Sequence, residues 1–404
     1  MLKSCPAIVI LMLATLTAYS QKDSSLNLKP TANNANWAEK IKVSGYAQVR
    51  YNGLIQSNEN LTCVQCDKSW GGPNQFFLRR MRLKFTGQVH ERVYLYFQAD
   101  FASNSTSDNL HFGQIRDAYF DVGLDKNNEY RIRFGQGKLI YGFENMQSSQ
   151  NRLPLDRNDA LNSAFSNERD LGVSFLWAPK ATRKLYSSLI RDGLKGSGDY
   201  GVFGITVFNG QNANKPELNN NKHVAMRFSY PLSIGNQIIE PGVQAFTGQY
   251  QIAKDKLSTG VKAPTNLDFI DQRAAASFVL YPKPFGIQAE YNVGRGAEFN
   301  KSTDSIEVQA LHGGYATLCF KKQFKGQIFY PFVRAHYYEG GKKHEQDARS
   351  YSVKELEIGL EWLPFRNFEL VAQYTFSNRR YEDFKNQNNY QKGNLLRLQA
   401  QINF

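Results

Sequence analysis

The chain has little of several residue types, and each shortage excludes a class of protein. Only 4 Cys and 5 Met occur among its 404 residues. Beyond residue 20 no stretch approaches the ~18 consecutive apolar residues of a membrane helix. The mean hydropathy of −0.51 also argues against a bundle of such helices. No run of about five or more basic residues occurs, which argues against a basic tail.

The scarcity of cysteine limits metal and redox chemistry. Cys63 and Cys66 form a CxxC pair, but a zinc site would need a second pair, which the chain lacks. In an oxidising compartment we expect a disulfide between these two cysteines that holds the first long loop. The 6 His show no ligand spacing, and no Ser-His-Asp set or paired-carboxylate cleft can be singled out. We therefore expect no cofactor, no metal and no enzymatic activity.

The charge balance is strongly basic. The 49 Lys and Arg exceed the 36 Asp and Glu, which gives a formal net charge of +13. Such a balance fits a nucleic acid, an anionic membrane surface or a small anionic solute as the partner. Charge alone does not choose among these three.

The N-terminus predicts the compartment. In "MLKSCPAIVILMLATLTAYSQ", Lys3 precedes an apolar core, and the small residues Ala18 and Ser20 indicate cleavage before Gln21. Residues 1–20 are thus predicted to be a secretory signal peptide, and the alternative of a short membrane helix is disfavoured by length. We expect residues 21–40 to be a polar leader and residues 41–404 to form a single domain.

The rest of the chain alternates between apolar and polar residues. In the closing stretch "GNLLRLQAQINF", the even positions from Leu396 to Phe404 are apolar, and the odd positions from Arg397 to Asn403 are polar. A period of two is that of an extended strand with one apolar face. The 22 Tyr and 28 Phe also favour strands. About sixteen strands are predicted, with no helical stretch between them: 41–52, 76–89, 93–102, 114–123, 130–138, 170–178, 199–209, 222–231, 237–250, 271–281, 285–295, 307–324, 327–339, 350–362, 367–381 and 393–404.

The lengths of the connections alternate as well. Long connections follow the odd-numbered predicted strands, whereas tight turns such as 90–92, 282–284 and 325–326 follow even-numbered ones. This parity is typical of an all-β, transmembrane, antiparallel up-and-down β-barrel with long extracellular loops and short periplasmic turns. The predicted location is the outer membrane of a Gram-negative bacterium, in contact with outer-membrane lipid and lipopolysaccharide.

Parity along each strand assigns side chains to the lumen or to lipid. A charge on the lipid face at the bilayer midplane costs ~2–4 kcal/mol. We therefore assign basic residues on the polar faces to the lumen, and expect Phe77 on the lipid face with Arg79 on that face near the outer rim. The assigned lumen cations of the first, second and fifth strands are Arg50, Arg80, Arg82, Lys84, Arg131 and Arg133.

Two interpretations of these cations remain open. Rings of Arg and Lys in a pore select anions, but lumen arginines can also pair with lumen acids and fill space. The longest connection, 139–169, is expected to fold into the lumen as a constriction loop that brings Lys138, Arg152 and Arg157 to the narrowest point. The alternative is an extracellular lid that stays outside.

Six stretches resemble the phosphate-selective porin O and P family, in its Bacteroidetes-type branch. All lie in the first half of the chain, whereas the second half is similar only in the spacing of its predicted strands and in the terminal Phe404. The stretches are "SGYAQVRYN" (44–52), "FFLRRMRLKFTGQV" (76–89), "FQADFA" (97–102), "IRDAYFDV" (115–122), "RIRFGQGKLIYGFENMQSSQ" (131–150) and "ERDLGVSF" (168–175).

The resemblance implies a sixteen-stranded outer-membrane porin, usually trimeric, that passes phosphate or polyphosphate. By motif, Arg50, Arg80, Asp100 and Lys138 match the family's constriction residues. Small anionic solutes and a homotrimer are thus the expected partners, with no nucleic acid. The alternatives are a general non-selective porin, a β-barrel enzyme or adhesin, and a soluble sandwich array that binds glycans.

Overall fold

The computed structural model describes residues 37–55, 58, 61, 74–102 and 111–404. The predicted signal peptide, most of the predicted leader, and Cys63 and Cys66 lie outside these residues. A 3₁₀ helix covers Trp37–Lys40. No helix in the described ranges is long and apolar enough to cross a membrane.

The described residues from Lys40 to Phe404 form a closed antiparallel barrel, as predicted. Strand segments β8 and β9 both pair with β10, and β13 and β14 both pair with β15, so the barrel has sixteen strands. The segments are β1 (Lys42–Leu54), β2 (Gln75–His90), β3 (Val93–Asp100), β4 (Gln114–Gly123), β5 (Tyr130–Lys138), β6 (Arg169–Trp177), β7 (Phe203–Phe208), β8 (His223–Ser229), β9 (Leu232–Ile234), β10 (Gln237–Gln251), β11 (Asp268–Leu280), β12 (Phe285–Asn300), β13 (Ser305–Phe320), β14 (Lys322–Phe324), β15 (Gln327–Gly341), β16 (Ser350–Phe365), β17 (Phe368–Glu382) and β18 (Asn389–Asn403).

Pairing between β1 and β18 closes the barrel. Their register runs from Tyr46 opposite Asn403 to Leu54 opposite Leu395. The backbone N–H of Phe404 donates to the carbonyl oxygen of Gly45 at 3.0 Å, so the last residue takes part in the closure. Each of the sixteen strands is bonded to two neighbours, which is how a sheet satisfies its backbone inside a bilayer.

The two faces of the barrel differ as the alternation predicts. On β18 the side chains of Leu396, Leu398 and Ile402 point outward and are exposed, whereas Arg397 and Gln399 are buried inside. The same contrast holds along β5, where Tyr130 and Phe134 are exposed between buried arginines. The outer surface is therefore apolar and suited to lipid, and the interior is polar.

A β-bulge in β2 corrects two predicted positions. Gln48 of β1 faces Arg80, but the next residue, Val49, faces Leu78, so Arg79 is an extra residue in β2. On the N-terminal side of this extra residue, the side chains of β2 therefore point to the opposite face from the one that simple alternation predicts. Phe77, predicted to face lipid, is only 7% exposed, while Phe76 is 76% exposed. Arg79, also predicted on the lipid face, lies with a guanidinium nitrogen 3.9 Å from Asp156.

The connections follow the predicted parity with two exceptions. Tight turns at 91–92, 235–236, 325–326 and 366–367 lie at one end of the barrel, but the connection 301–304 between β12 and β13, at the other end, is short as well. The second exception is the long connection between β6 and β7, residues 178–202, which we name the periplasmic segment. It contains an α-helix, Lys180–Arg191. The prediction that no helical stretch separates the strands is wrong here, since Thr182, Tyr186 and Leu189 recur at helical spacing and are buried.

The closing pair of strands leaves no room for a side chain at position 45. A Cβ added to Gly45 would lie 2.4 Å from the carbonyl oxygen of Arg82 and 2.5 Å from the Phe404 ring. We expect Gly45→Ala to reduce the fraction of protein that folds, because the added Cβ would clash with β2 on one side of β1 and with the closing residue Phe404 on the other. The measurement is the fraction of unheated protein that migrates as a compact species on SDS gels. Gly113→Ala, where the nearest atoms are 3.5 Å away, should fold normally, and equal folding of the two variants would contradict the argument.

Candidate permeation pathway

The predicted site residues all lie on the inner face of β1, β2, β3 or β5. Most are buried, whereas Lys84 and Lys138 are half-buried and thus retain access to open space. The set comprises Arg50 on β1, Arg80, Arg82 and Lys84 on β2, Asp100 at the end of β3, and Arg131, Arg133 and Lys138 on β5.

The connection between β5 and β6, residues 139–168, contacts inward-facing groups of distant strands, and we name it the inner segment. The backbone N–H groups of Phe143 and Glu144 donate to the Glu290 carboxylate of β12 at 2.6 and 2.9 Å. Glu144 also pairs with Arg334 of β15 at 2.8 Å. These contacts attach the start of the inner segment to strands far from β5.

Apolar packing reinforces this attachment. Tyr141 and Phe165 of the inner segment pack in one buried cluster with Phe208, Phe246 and Tyr315 of the barrel wall. The rings of Tyr141 and Phe246 meet edge to face, with centroids 4.9 Å apart. Such aromatic pairs are worth about 0.5–1.5 kcal/mol beyond the area they bury, so this side of the lumen is filled by packed side chains.

Charged groups hold the remainder of the inner segment. Asp156 accepts from Arg397 of β18 and lies 3.5 Å from Arg50 of β1. Burial raises the pKa of Asp156, but Arg397, Arg50 and Arg79 outweigh burial, so its pKa lies below the usual range. Burial likewise raises the pKa of Glu168, but the charges of Arg157 and Arg169 outweigh burial, so its pKa also lies below the usual range. Both carboxylates therefore remain ionised and keep the arginines in place.

A chamber of about 520 Å³ lies between the inner segment and the wall formed by β2–β6. The periplasmic segment contributes a third boundary through residues such as Arg183, Ser187 and Tyr200. Basic side chains outnumber acidic ones in the lining. The basic residues are Lys84, Arg92, Arg131, Arg133, Lys138, Arg169 and Arg183, and the acidic residues are Asp117, Asp121 and Asp199.

Four of the predicted site arginines have carboxylate partners, one of which is Arg50, 3.5 Å from Asp156. Arg133 donates to both oxygens of Asp121, at 2.7 and 2.9 Å. Arg131 pairs with Asp199 at 2.8 Å, and Arg82 pairs with Asp100 at 2.8 Å. For these residues the space-filling interpretation fits the contacts, because each guanidinium is already paired with a carboxylate.

Other cations contact only neutral oxygens within the described residues. Arg80 donates to the Gln48 side chain at 3.0 Å, and Arg152 donates to the carbonyl oxygens of Pro154 and Leu155. Lys138 donates to the carbonyl oxygens of residues 145–147, at 2.9 Å for Asn145. Lys84 makes one long hydrogen bond, 3.5 Å from its ammonium nitrogen to Gln150, and its ammonium lies 5.9 Å from the centre of the Tyr46 ring. Lys84 therefore lines the chamber with donors available for a solute.

The chamber residues supplied by the periplasmic segment were not predicted from the sequence. Arg183 and Ser187 fall in residues 179–198, the connection between two predicted strands, and Asp199 falls at the start of the second of these strands. The signal that would have found them is the helical spacing of Tyr186 and Leu189 after Pro179, since proline favours a helix start.

One group of side chains has the composition of a metal site. Nε2 of His336 lies 3.4 Å from Asp159 and 3.2 Å from Glu355. Arg379 pairs with both carboxylates, at 2.9 and 3.1 Å, and Lys342 also donates to Asp159. Because these two cations already balance the two carboxylates, we assign no metal to this group.

A closed barrel with an apolar exterior, a polar interior and a chamber along one wall defines a membrane diffusion channel. The family model "Phosphate-selective porin O and P" matches residues 65–404. The chain belongs to this family, and it is an outer-membrane porin of a Gram-negative bacterium and not an enzyme.

Solved structures of other porins have a similar fold. The outer membrane channel DcaP of Acinetobacter baumannii is 14% identical, with a TM-score of 0.53 over 90% of this chain and 97% of that chain. OmpF of Salmonella typhi, in complex with daunomycin, is 12% identical, with a TM-score of 0.57 over the same shares. At these identities the likeness concerns the fold. No curated protein sequence matches the chain.

Removal of the Asp156 carboxylate should loosen the inner segment. Asp156→Asn leaves Arg397, Arg50 and Arg79 without their shared partner, and breaking a buried ion pair costs about 3–5 kcal/mol. We expect noisier single-channel currents and faster cleavage within residues 139–168 by added protease. Asp255→Asn, which removes the same charge from an exposed 3₁₀ helix, is the control, and indistinguishable noise and cleavage in both variants would refute the assignment.

Proposed function

We propose that the protein is a diffusion channel with a preference for small anions, phosphate among them. The observation that carries the proposal is the chamber lining, where seven basic side chains face three aspartates. A pathway lined by one sign of charge and bounded by low-dielectric walls concentrates ions of the opposite sign. Rings of Arg and Lys favour anions in pores for this reason.

Within this lining, Lys84 is the residue best placed to contact a passing anion. Its ammonium nitrogen carries three N–H donors, and its one hydrogen bond among the described residues is 3.5 Å long. Lys138 adds a second positive charge to the electrostatic potential of the chamber, although its N–H donors are directed to backbone carbonyl oxygens. Phosphate suits such a site because several oxygens can accept hydrogen bonds at once.

The inner segment is proposed to act as the constriction. It occupies the lumen next to β10–β17 and leaves the chamber beside β2–β6, where the unneutralised cations lie. Solutes then pass along one wall of the barrel. The predicted disulfide between Cys63 and Cys66 and the predicted signal peptide at 1–20 remain predictions.

We also propose that the channel is a homotrimer whose apolar outer surface contacts lipid and lipopolysaccharide. OmpT of Vibrio cholerae, described as a trimer form, is 10% identical, with a TM-score of 0.52 over 90% of this chain and 99% of that chain. The mass of the detergent-solubilised protein, measured by light scattering with the detergent subtracted, tests the proposal. A monomer mass would contradict it.

The preference for anions is tested by removal of the Lys84 charge. We expect Lys84→Gln to lower the anion-to-cation permeability ratio by about two-fold, since it removes one of a few charges that focus the field in a narrow pathway. The ratio is obtained from reversal potentials in planar bilayers under a salt gradient, first with chloride and then with phosphate. The control is Lys126→Gln, which removes an exposed charge from the turn between β4 and β5.

Two outcomes would contradict the proposal. A reversal potential of the wild-type channel that favours cations would overturn the anion preference itself. An unchanged ratio in Lys84→Gln, with the wild type selective for anions, would remove Lys84 from the pathway. The alternative of a non-selective porin predicts equal permeability for both ions and no effect of either substitution.

A further inference from the structure

The periplasmic segment, residues 178–202, reaches across the turn end of the barrel. At one end it is attached to β6, where the N–H of Val202 donates to the carbonyl oxygen of Trp177 at 2.7 Å. At the other end the Tyr330 hydroxyl of β15 donates to the carbonyl oxygen of Gly193 at 2.6 Å. Lys195 pairs there with Glu361 of β16. Because β6 and β15 lie on nearly opposite sides of the barrel, the segment crosses its opening.

The segment also packs against the inner segment. Tyr186 and Leu189 of the helix share a buried apolar cluster with Phe143 of the inner segment and with Val279 and Tyr281 of the wall. A hydrogen bond of 2.6 Å from the Gln147 side chain to the carbonyl oxygen of Lys195 joins the two segments again. The two segments are therefore one continuous body that fills the lumen beside β8–β16.

On its other side the helix borders the chamber. Arg183, Ser187 and Ile190 line the chamber opposite Gln88 and Arg92, which lie at the turn end of β2 and in the turn that follows. Arg183 reaches across to the turn between β4 and β5, where it donates to the carbonyl oxygen of Asn128 at 2.7 Å. The chamber thus continues towards the periplasm as a slot between the helix and the ends of β2–β5.

The carboxylate of Asp199 joins the wall to the helix at this slot. Asp199 pairs with Arg131 of the wall at 2.8 Å and with Arg183 of the helix at 2.7 Å. Burial raises the pKa of Asp199, but the two arginines outweigh burial, so its pKa lies below the usual value. On the periplasmic side of the helix, Lys180, Lys184 and Arg191 surround a second cavity of about 650 Å³, in which Asp199 is the one acidic residue of the lining.

We infer that the periplasmic segment forms a second filter, in which anions leave the chamber through this slot and contact Arg183 and Ser187 before they reach the periplasm. Asp199 sets the strength of the filter because it neutralises part of the charge of Arg131 and Arg183. The inference rests on the proposed passage of anions through the chamber. It adds a binding region supplied by a connection on the turn side of the barrel.

The position of the slot is tested by modification of a cysteine at Ser187. In a background where Cys63, Cys66 and Cys319 are serine, Ser187→Cys is treated from the periplasmic side with a sulfonated methanethiosulfonate, and modification is measured by mass. We expect the conductance to fall by about half or more, because a bulky anion then occupies a charged, narrow part of the pathway. Ser233→Cys, an exposed residue of β9 at the same end of the barrel, should react without a change in conductance.

The role of Asp199 is tested by a neutral variant. Asp199→Asn releases two guanidinium groups at the slot, so the anion-to-cation permeability ratio should rise by about two-fold, opposite to the effect of Lys84→Gln. Asp192→Asn, an exposed position of the same segment that pairs with Arg191, is the matched control and should leave the ratio unchanged. Compact migration on unheated SDS gels confirms that each variant is folded.

The outcomes separate this inference from the proposed function. Unchanged conductance in fully modified Ser187→Cys, or an unchanged ratio in folded Asp199→Asn, would overturn the second filter while an anion-selective wild-type channel keeps the proposed function. Preference of the wild-type channel for cations would overturn the proposed function first. A fall of conductance in Ser187→Cys together with a raised ratio in Asp199→Asn supports the filter.

Discussion

Backbone hydrogen bonding between β1 and β18 is the interaction on which the remaining structure depends. A strand surrounded by lipid has no water to satisfy its N–H and C=O groups, so each must find a neighbouring strand. Pairing from Tyr46 to Leu54 completes that requirement for the whole sheet. Closure then fixes the two faces, since each side chain points either to lipid or to an enclosed interior. The polar residues of the sequence are thereby concentrated in the lumen.

An interior so rich in charge is stable only when the charges are organised. Removal of a charge from water is costly, and a partner with good geometry recovers much of the cost. Here some of the partners come from the barrel strands and others from the two segments next to β6. Asp156 pairs with Arg397 and Arg50, Glu144 pairs with Arg334, and Asp199 pairs with Arg131. The cations left without a carboxylate, such as Lys84, then lie at the edge of this network, where the chamber is open.

Much of the barrel could be predicted from the sequence because its pattern is local. Strict alternation such as that of Leu396 to Phe404 assigns each side chain to a face, and the parity of loop lengths implies closure. The bulge at Arg79 could not be predicted in this way, since it depends on the register with β1. The contacts of Glu144 with Arg334 and of Lys195 with Glu361 join residues distant in sequence, so no local pattern shows them. The helix Lys180–Arg191 was missed although its spacing was visible, because residues 179–198 were interpreted only as a connection between two predicted strands.

The inner and periplasmic segments flank a single strand, β6, so residues 139–202 contain both insertions in one uninterrupted stretch. The segments that fill the lumen are therefore concentrated in one part of the chain, opposite wall residues such as Lys84 that the barrel strands supply. Changes confined to residues 139–202 could alter which solutes pass in a homologue. The lipid-facing surface of the strands is constrained separately, because it must remain apolar in every homologue.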